Sequence, residues 1–390
     1  MSSFPKHVVD NDYYITRAIE ETSGVDKGII TRNVNYPDWS KNEMVYSGPH
    51  FWVSEPLYKT PQEECTLSSH YDKINLSLIG DEYTSRTCYK PSMDTDSYRS
   101  LIKGFINGQD INGKPKFGLW IDEYRIVWRF MLNLSQERTL ITAIIPPNCS
   151  HIHGVNSAIF KNKNFFLEFS ALTSSLSFDF YIKLTNKGAL SQSIVESFPL
   201  GVAEKYKPAL FVRTLRLNCL TNRYAELWEE VWREAYKKDA WSLDDSRLAP
   251  WCNLTPTWQH DTPLRNYFER RMALVEIDVI SAMALGLNLD ELIMMYEIQF
   301  PVLQQNENDT WYDTKGNIVF TCSKGLVGVG VDRPVWETIK GMKAGETYEH
   351  VIQKSELYRG QKVTYYAPFD KCDRVEDYKR AWKHFEERFK

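Results

Sequence analysis

Tyr124-Arg-Ile-Val-Trp-Arg129, Glu137-Arg-Thr-Leu-Ile-Thr-Ala-Ile-Ile-Pro146-Pro147 and Asn156-Ser-Ala-Ile-Phe160 lie close together in one stretch whose reading decides the fold. Thr139 to Ile145 is β-branched and aliphatic and then meets two prolines, which cannot donate to a ladder. An apolar run of that length bounded by breakers predicts a buried strand. Trp128 and Phe130 alternate with Val127 and Arg129, and Ser157 to Phe160 predicts one more short strand. The first half is therefore expected to centre on a sheet flanked by Arg125, Arg129 and Arg138.

Working outward, Asp12 to Glu21 reads as a short helix, and so does Asp96 to Ile106, where Tyr98, Leu101, Ile102 and Phe105 recur at helical spacing. Gly104, Gly108, Gly113 and Gly118 with Lys114 and Lys116 predict a flexible basic loop. Phe165 to Leu184 predicts a helix and then a strand, broken near Ser174 and Ser175. Beyond Leu210 the period turns helical, with a stripe from Tyr224 to Ala235 and a long helix from Leu264 to Leu285 closed by Gly286. Asn288 with Glu291 predicts a capping box. The tail offers a hairpin at Trp311 to Phe320, a strand at Val363 to Ala367 and an amphipathic helix from Val375 to Phe389. The fold class expected is α/β (α+β): a domain over residues 1–210, a helical region over 211–305 and a small α+β region over 306–390.

Composition narrows the function classes. A chain of 390 residues with 43% hydrophobic and 25% charged residues is globular and long enough for more than one core. The net charge of −4 argues against a free-standing nucleic-acid binder, which is usually basic. From His151 to Arg216, however, eight Lys and Arg face four Asp and Glu, a local excess of +4. The 7 cysteines are scattered without a Cys-x-x-Cys pair, which suits a reducing compartment. The first residues carry no apolar core of a signal peptide, and no apolar run is long enough to span a bilayer, so a cytoplasmic chain without membrane contact is expected.

The pattern Tyr-Arg-x-x-Trp-Arg at 124–129, Glu-Arg-Thr-Leu-Ile-x-Ala-Ile-Ile-Pro-Pro at 137–147 and Asn156-Ser157 resembles the target-recognition region of type IIG and DISARM-like restriction-modification adenine-specific DNA methyltransferases. Ser174 to Asp179 leading into Leu190 and Val195 to Leu200 is similar to type I specificity subunits. Phe268-Glu-Arg-Arg271, Glu276-Ile-Asp278, Gly286, Asp290-Glu291 and Gln299-Phe-Pro301 resemble the C-terminal helical segment of type IIG enzymes. The resemblance implies duplex DNA as ligand and a methyltransferase or helicase subunit of the same system as partner. Arginine reads guanine, asparagine reads adenine and lysine holds phosphate, which makes Lys114, Lys116, Arg125, Arg129, Asn148, His151, Lys161 and Lys163 the candidate DNA-binding residues. The competing reading of Arg125, Arg129 and Arg138 is structural, pairing with Glu123 and Glu137.

The family's catalytic chemistry is not legible. Pro146-Pro147 has Ile145 before it and Asn148 after it, where the family's catalytic loop carries Asn or Asp and an aromatic ring. Gly328-Val-Gly330 follows no convincing strand–helix unit, and Glu337-Thr-Ile-Lys340 is a chance-level match to a nuclease motif. No methyl-donor cofactor is expected. Cys149, His151 and His153 would share one face of a strand, but structural zinc needs four ligands and no fourth is adjacent, so no metal is assigned. Two alternatives stand beside DNA recognition: an interaction or structural subunit of a defence complex, and a nuclease or methyltransferase with an unrecognised site.

Overall fold

The structure, a computed structural model, describes residues 2–3, 12–67, 69–102 and 104–390. Of the stretch Met1 to His7, only Ser2–Ser3 lies within them, pairing with Pro199–Leu200. The chain is mixed α/β. The first strand of its central sheet is β1 (Tyr13–Thr16). A protruding ribbon follows, β2 (Gly104–Gln109) with β3 (Pro115–Leu119), and then the central strands β4 (Arg125–Arg129), β5 (Thr142–Ile145) and β6 (Val155–Phe160). β1, β4, β5 and β6 form one four-stranded antiparallel sheet in the order β5-β4-β6-β1. Ile126 lies opposite both Ile144 and Ala158, and Phe160 lies opposite Tyr13.

Both faces of this sheet are covered, which explains the unbroken apolar runs. Ile126, Trp128, Ile144, Ala158 and Phe160 join the helical core. Val127, Ala143, Ile145 and Val155 face the other way, against Met44, Tyr46, Phe51 and Val53. The expected helix at Asp12 to Glu21 is instead β1, followed by a helix at Glu21–Asp26. Pairing with β6 overrides the local reading, because Tyr13 to Thr16 completes the sheet's edge.

The helices are α1 (Lys163–Ser174), α2 (Leu176–Thr185), α3 (Lys207–Asn218), α4 (Tyr267–Leu285), α5 (Leu289–Gln299) and α6 (Pro301–Asn308). The tail holds β7 (Ile318–Phe320), α7 (Arg333–Ile339), β8 (Thr347–Val351), β9 (Lys362–Tyr366) and α8 (Arg374–Arg388). Residues 165–184 form two helices, not a helix and a strand. Ser175 ends α1 and caps α2, its hydroxyl accepting from the Phe178 N–H. The stripe from Tyr224 to Ala235 is helical only over Ala225–Glu230 before the chain tightens into a 3-10 turn at Glu234–Lys238.

The helix α4 runs through the middle. It packs against α1, α2, α3, α5 and α8, and from Phe268 to Ala282 every residue except Leu274 is buried. Its start is set by a reciprocal box between Asn266 and Glu269, and its end by Gly286 at φ +78. The boundary expected near residue 210 falls inside α3, and α8 inserts Tyr378, Ala381 and Phe385 into the same core. The sheet, the helical region and the tail's last helix therefore share one hydrophobic centre.

Charges are buried at that centre. Asp278 of α4 accepts from Arg374 Nη1 at 2.8 Å, from the Tyr378 hydroxyl at 2.7 Å and from the Leu176 N–H at 2.7 Å. Glu307 takes Arg271 at 2.9 Å and Arg374 at 2.8 Å. Replacing Asp278 with alanine leaves Arg374 Nη1, the Tyr378 hydroxyl and the Leu176 N–H without this buried acceptor, and the expected loss is about 3–5 kcal/mol, read as a drop in urea-unfolding free energy. Burial alone would raise the Glu307 pKa, but the Arg271 and Arg374 guanidiniums carry it from 4.5 down to about 2. A folded-state pKa below the unfolded one means this stabilisation is complete above pH 4.5 and is lost as pH falls toward 2. Glu307→Gln should be less stable at neutral pH, and its stability should fall less over that acid range than wild type's.

Candidate nucleic-acid interface

The sheet register gathers one set of loops. Arg125 starts β4 opposite Ile145 at the end of β5, and Phe160 ends β6 opposite Tyr13 at the start of β1. The turns carrying Glu123, Asn148 and Lys161 therefore leave the same end of the sheet. Asn148 is exposed at φ +62, its N–H donating to Ile121 O at 2.7 Å and its Oδ1 accepting from Asn42 at 3.3 Å. Lys161 is exposed, with its N–H on Asp12 O at 2.9 Å. Lys163 is half-buried at the start of α1, 3.5 Å from Glu230 and over the Tyr124 ring.

The arginines and the histidine go elsewhere. Arg125 is fully buried, donates to Cys149 O at 2.6 Å and Sγ at 3.1 Å, and lies 4.9 Å over the Trp120 ring. Burial lowers its pKa, and the adjacent Cys149 opposes that. His151 is also fully buried, with Nε2 2.8 Å from Ser157 Oγ. Its burial, reinforced by the charge of Arg125, pushes its pKa down to about 3, so the ring is neutral. Neither side chain has surface to offer a duplex, which corrects their expected place in the interface. The cause is that their partners are interior backbone and hydroxyl groups. Arg129 lies at the far end of β4, roughly 13 Å along the strand, and donates to Gly48 O at 2.8 Å and Phe51 O at 2.7 Å. The structure therefore does not bring Arg129 together with Asn148 and Lys161. Arg138 is structural, but its partner is Asp179 at 2.6 Å, not Glu137.

Cys149, His151 and His153 do not converge. Cys149 faces Arg125, His151 faces Ser157, and His153 lies against Phe130 at 5.0 Å. Among the described residues no group of three His, Cys, Asp or Glu is placed to hold a metal. Glu337 and Lys340 form an exposed pair along one helix face.

The flexible basic loop is a β-ribbon. Asp110 builds its turn, with Oδ1 accepting from the Asn112 N–H at 2.8 Å and the Lys114 N–H at 2.9 Å. Gly113 closes the turn at φ +76. Phe105 roots the ribbon, buried and stacked 5.5 Å from Tyr14 of β1. Beyond that root, Lys114 and Lys116 are exposed on one face. The cross-strand pair Ile106–Phe117 occupies the other, with Phe117 66% exposed, and Ile111 stands at the tip fully in solvent. Sequence reading found the lysines and missed these apolar groups. The available signal was an isoleucine between Asp110 and Asn112-Gly113, where a turn offers it no core.

No family model and no curated protein matches this chain.

The two classes of cation separate by mutation. Arg125→Ala should cost about 2–4 kcal/mol in chemical denaturation through lost burial and stranded polar groups. Lys114→Ala should stay within about 0.5 kcal/mol of wild type in the same measurement.

Proposed function

We propose that this chain binds duplex DNA through the β2–β3 ribbon and the Asn148–Lys163 end of the sheet. It would present that DNA to a methyltransferase, helicase or nuclease of a restriction-modification or phage-defence system. The observation that carries the reading is the ribbon, a rooted two-stranded arm with lysines on one face and solvent-exposed apolar side chains on the other and at the tip. A two-stranded ribbon fits the major groove, which is about 12 Å wide. Lys114 and Lys116 would hold phosphates, while Ile106, Phe117 and Ile111 would meet thymine methyls or wedge into a base step. Exposed Gln109 on the ribbon and Asn148 on the rim are the types that pair with adenine. The resemblance of 124–160 to target-recognition regions supports the same reading.

A second reading is favoured by one observation: the side chains of Arg125 and His151 are spent inside the protein, and Arg129 holds two backbone carbonyls. A chain without free guanine-reading arginines in the sheet would act as an interaction subunit that grips DNA weakly and without sequence preference, or not at all.

Fluorescence anisotropy with random and defined 30-mer duplexes across a salt series tests both. Wild type should bind with a log K against log salt slope that falls by about one for each phosphate-holding lysine removed among Lys114, Lys116, Lys161 and Lys163. Binding that is salt-dependent but equal for all sequences supports the second reading. No binding at low salt, or a slope unchanged in the quadruple glutamate variant, overturns the DNA interface.

A further inference from the structure

The tail carries a slot that the DNA reading does not use. A cleft of about 820 Å³ lies between β8 and the segment joining β7 to α7. One wall is the consecutive run from Tyr348 to Lys354, so the cleft follows the strand along its edge, not across one face. The other wall carries Val327, Val329, Val331 and Val335. It is held in place where Val331 N–H donates to Val319 O at 2.7 Å. Gly330, at φ +74, passes β7 so closely that a Cβ would meet Val319 O at 2.5 Å.

The strand β8 pairs with β9 alone. Ile352 N–H donates to Gln361 O at 2.9 Å, and Ala367 N–H donates to Glu346 O at 3.0 Å. In an antiparallel ladder the inward-bonding positions alternate, so Tyr348 and His350 bond to β9. Thr347, Glu349 and Val351 then point their N–H and C=O groups away from it. Among the described residues these outward groups have no partner. An unpaired edge facing a walled slot is a strand-shaped vacancy. A strand laid along the outward edge of β8 would sit at the usual spacing of about 4.8 Å, with the valine wall on its far side. The facing charges are already paired, Lys354 with Asp332, Lys362 with Glu349 and Arg333 with Asp309. A strongly charged ligand would find no free counter-ion among them.

We propose that this slot docks a single extended segment of a partner protein as a third strand beside β8. Main-chain hydrogen bonds to Glu349 and Val351 would supply affinity. The valine wall would select a segment with small or β-branched apolar residues at every second position. The inference is independent of DNA binding and uses a different surface.

Heptapeptide phage display on the full chain, followed by anisotropy with synthetic copies of the enriched peptides, tests it. Enriched peptides should alternate β-branched and polar residues and bind in the micromolar range. Val351→Pro removes an outward N–H while sparing the ladder to β9, and should weaken binding at least tenfold with the circular-dichroism melt retained. N-methylation of the peptide amides that face β8 should abolish binding, and methylation of the alternate amides should not. Enrichment that is equal on Val351→Pro, indifference to methylation parity, or no enrichment at all overturns the proposal. Dimerisation of the wild type that Val351→Pro removes would assign the edge to a second copy and overturn it as well.

Discussion

The rest of the structure depends on the charges that α4 keeps inside the protein. Arg213 of α3 spans Glu276 at 2.7 Å and Asp239 at 2.9 Å, and Asp239 holds Arg388 at 2.7 Å near the end of α8. Asp278 joins the start of α2 to Arg374 and Tyr378 of α8. Arg270 clamps the carbonyls of Leu217 and Leu264 at 3.0 and 2.9 Å and that of Ser54 at 3.1 Å. Each charge bridges elements distant in sequence. A buried ion pair contributes little net stability relative to apolar packing, yet losing one partner is costly. The network therefore restricts which helices can lie against α4 more than it deepens the energy well.

That role explains what could be read beforehand. The segments over 125–129, 142–145 and 155–160 were legible because strands covered on both faces carry near-continuous apolar runs. The boxes and caps of α4 and α5 were legible because Asn288 and Glu291 act within one turn. The break at Ser175 was legible, but the element after it was read as a strand, since its continuation as helix depends on Asp179 and Asp278 receiving N–H groups and arginines from far away. The strand β1 was missed although Tyr13-Tyr-Ile-Thr is made of strand-favouring residues, because the run is only four residues long and its partner lies more than 140 residues on.

The candidate interface divides in the same way. Lysines have long stems and strongly hydrated heads, so four of them stay at the surface, three exposed and one half-buried. Arginine is weakly hydrated and forks between two acceptors, and Arg125 and Arg129 use that fork on backbone carbonyls. A carbonyl partner leaves no trace in sequence, unlike the Glu123 or Glu137 that proximity suggested. Residue type alone therefore distinguishes phosphate-holding candidates better than base-reading ones.

The same reasoning removes an attractive docking surface. The methionines and aliphatic residues of α4 look excessive for one helix face, which would suit a partner subunit. Most of them are instead covered, by α1, α2, α3, α5 and α8 and, at Met272, by Tyr312 and Ile318 of the tail. What remains bare on these helices is Tyr181 and Leu184 on α2 and Met294 and Ile298 on α5. Scattered exposed residues of that kind are ordinary on any soluble surface. A partner would have to be held elsewhere, and the unpaired backbone of β8 offers directional bonds that no apolar helix patch supplies. Neither α7 nor the β8–β9 hairpin takes part in the α4 charge network. The slot beside β8 therefore lies apart from the pairs that fix the helices around α4.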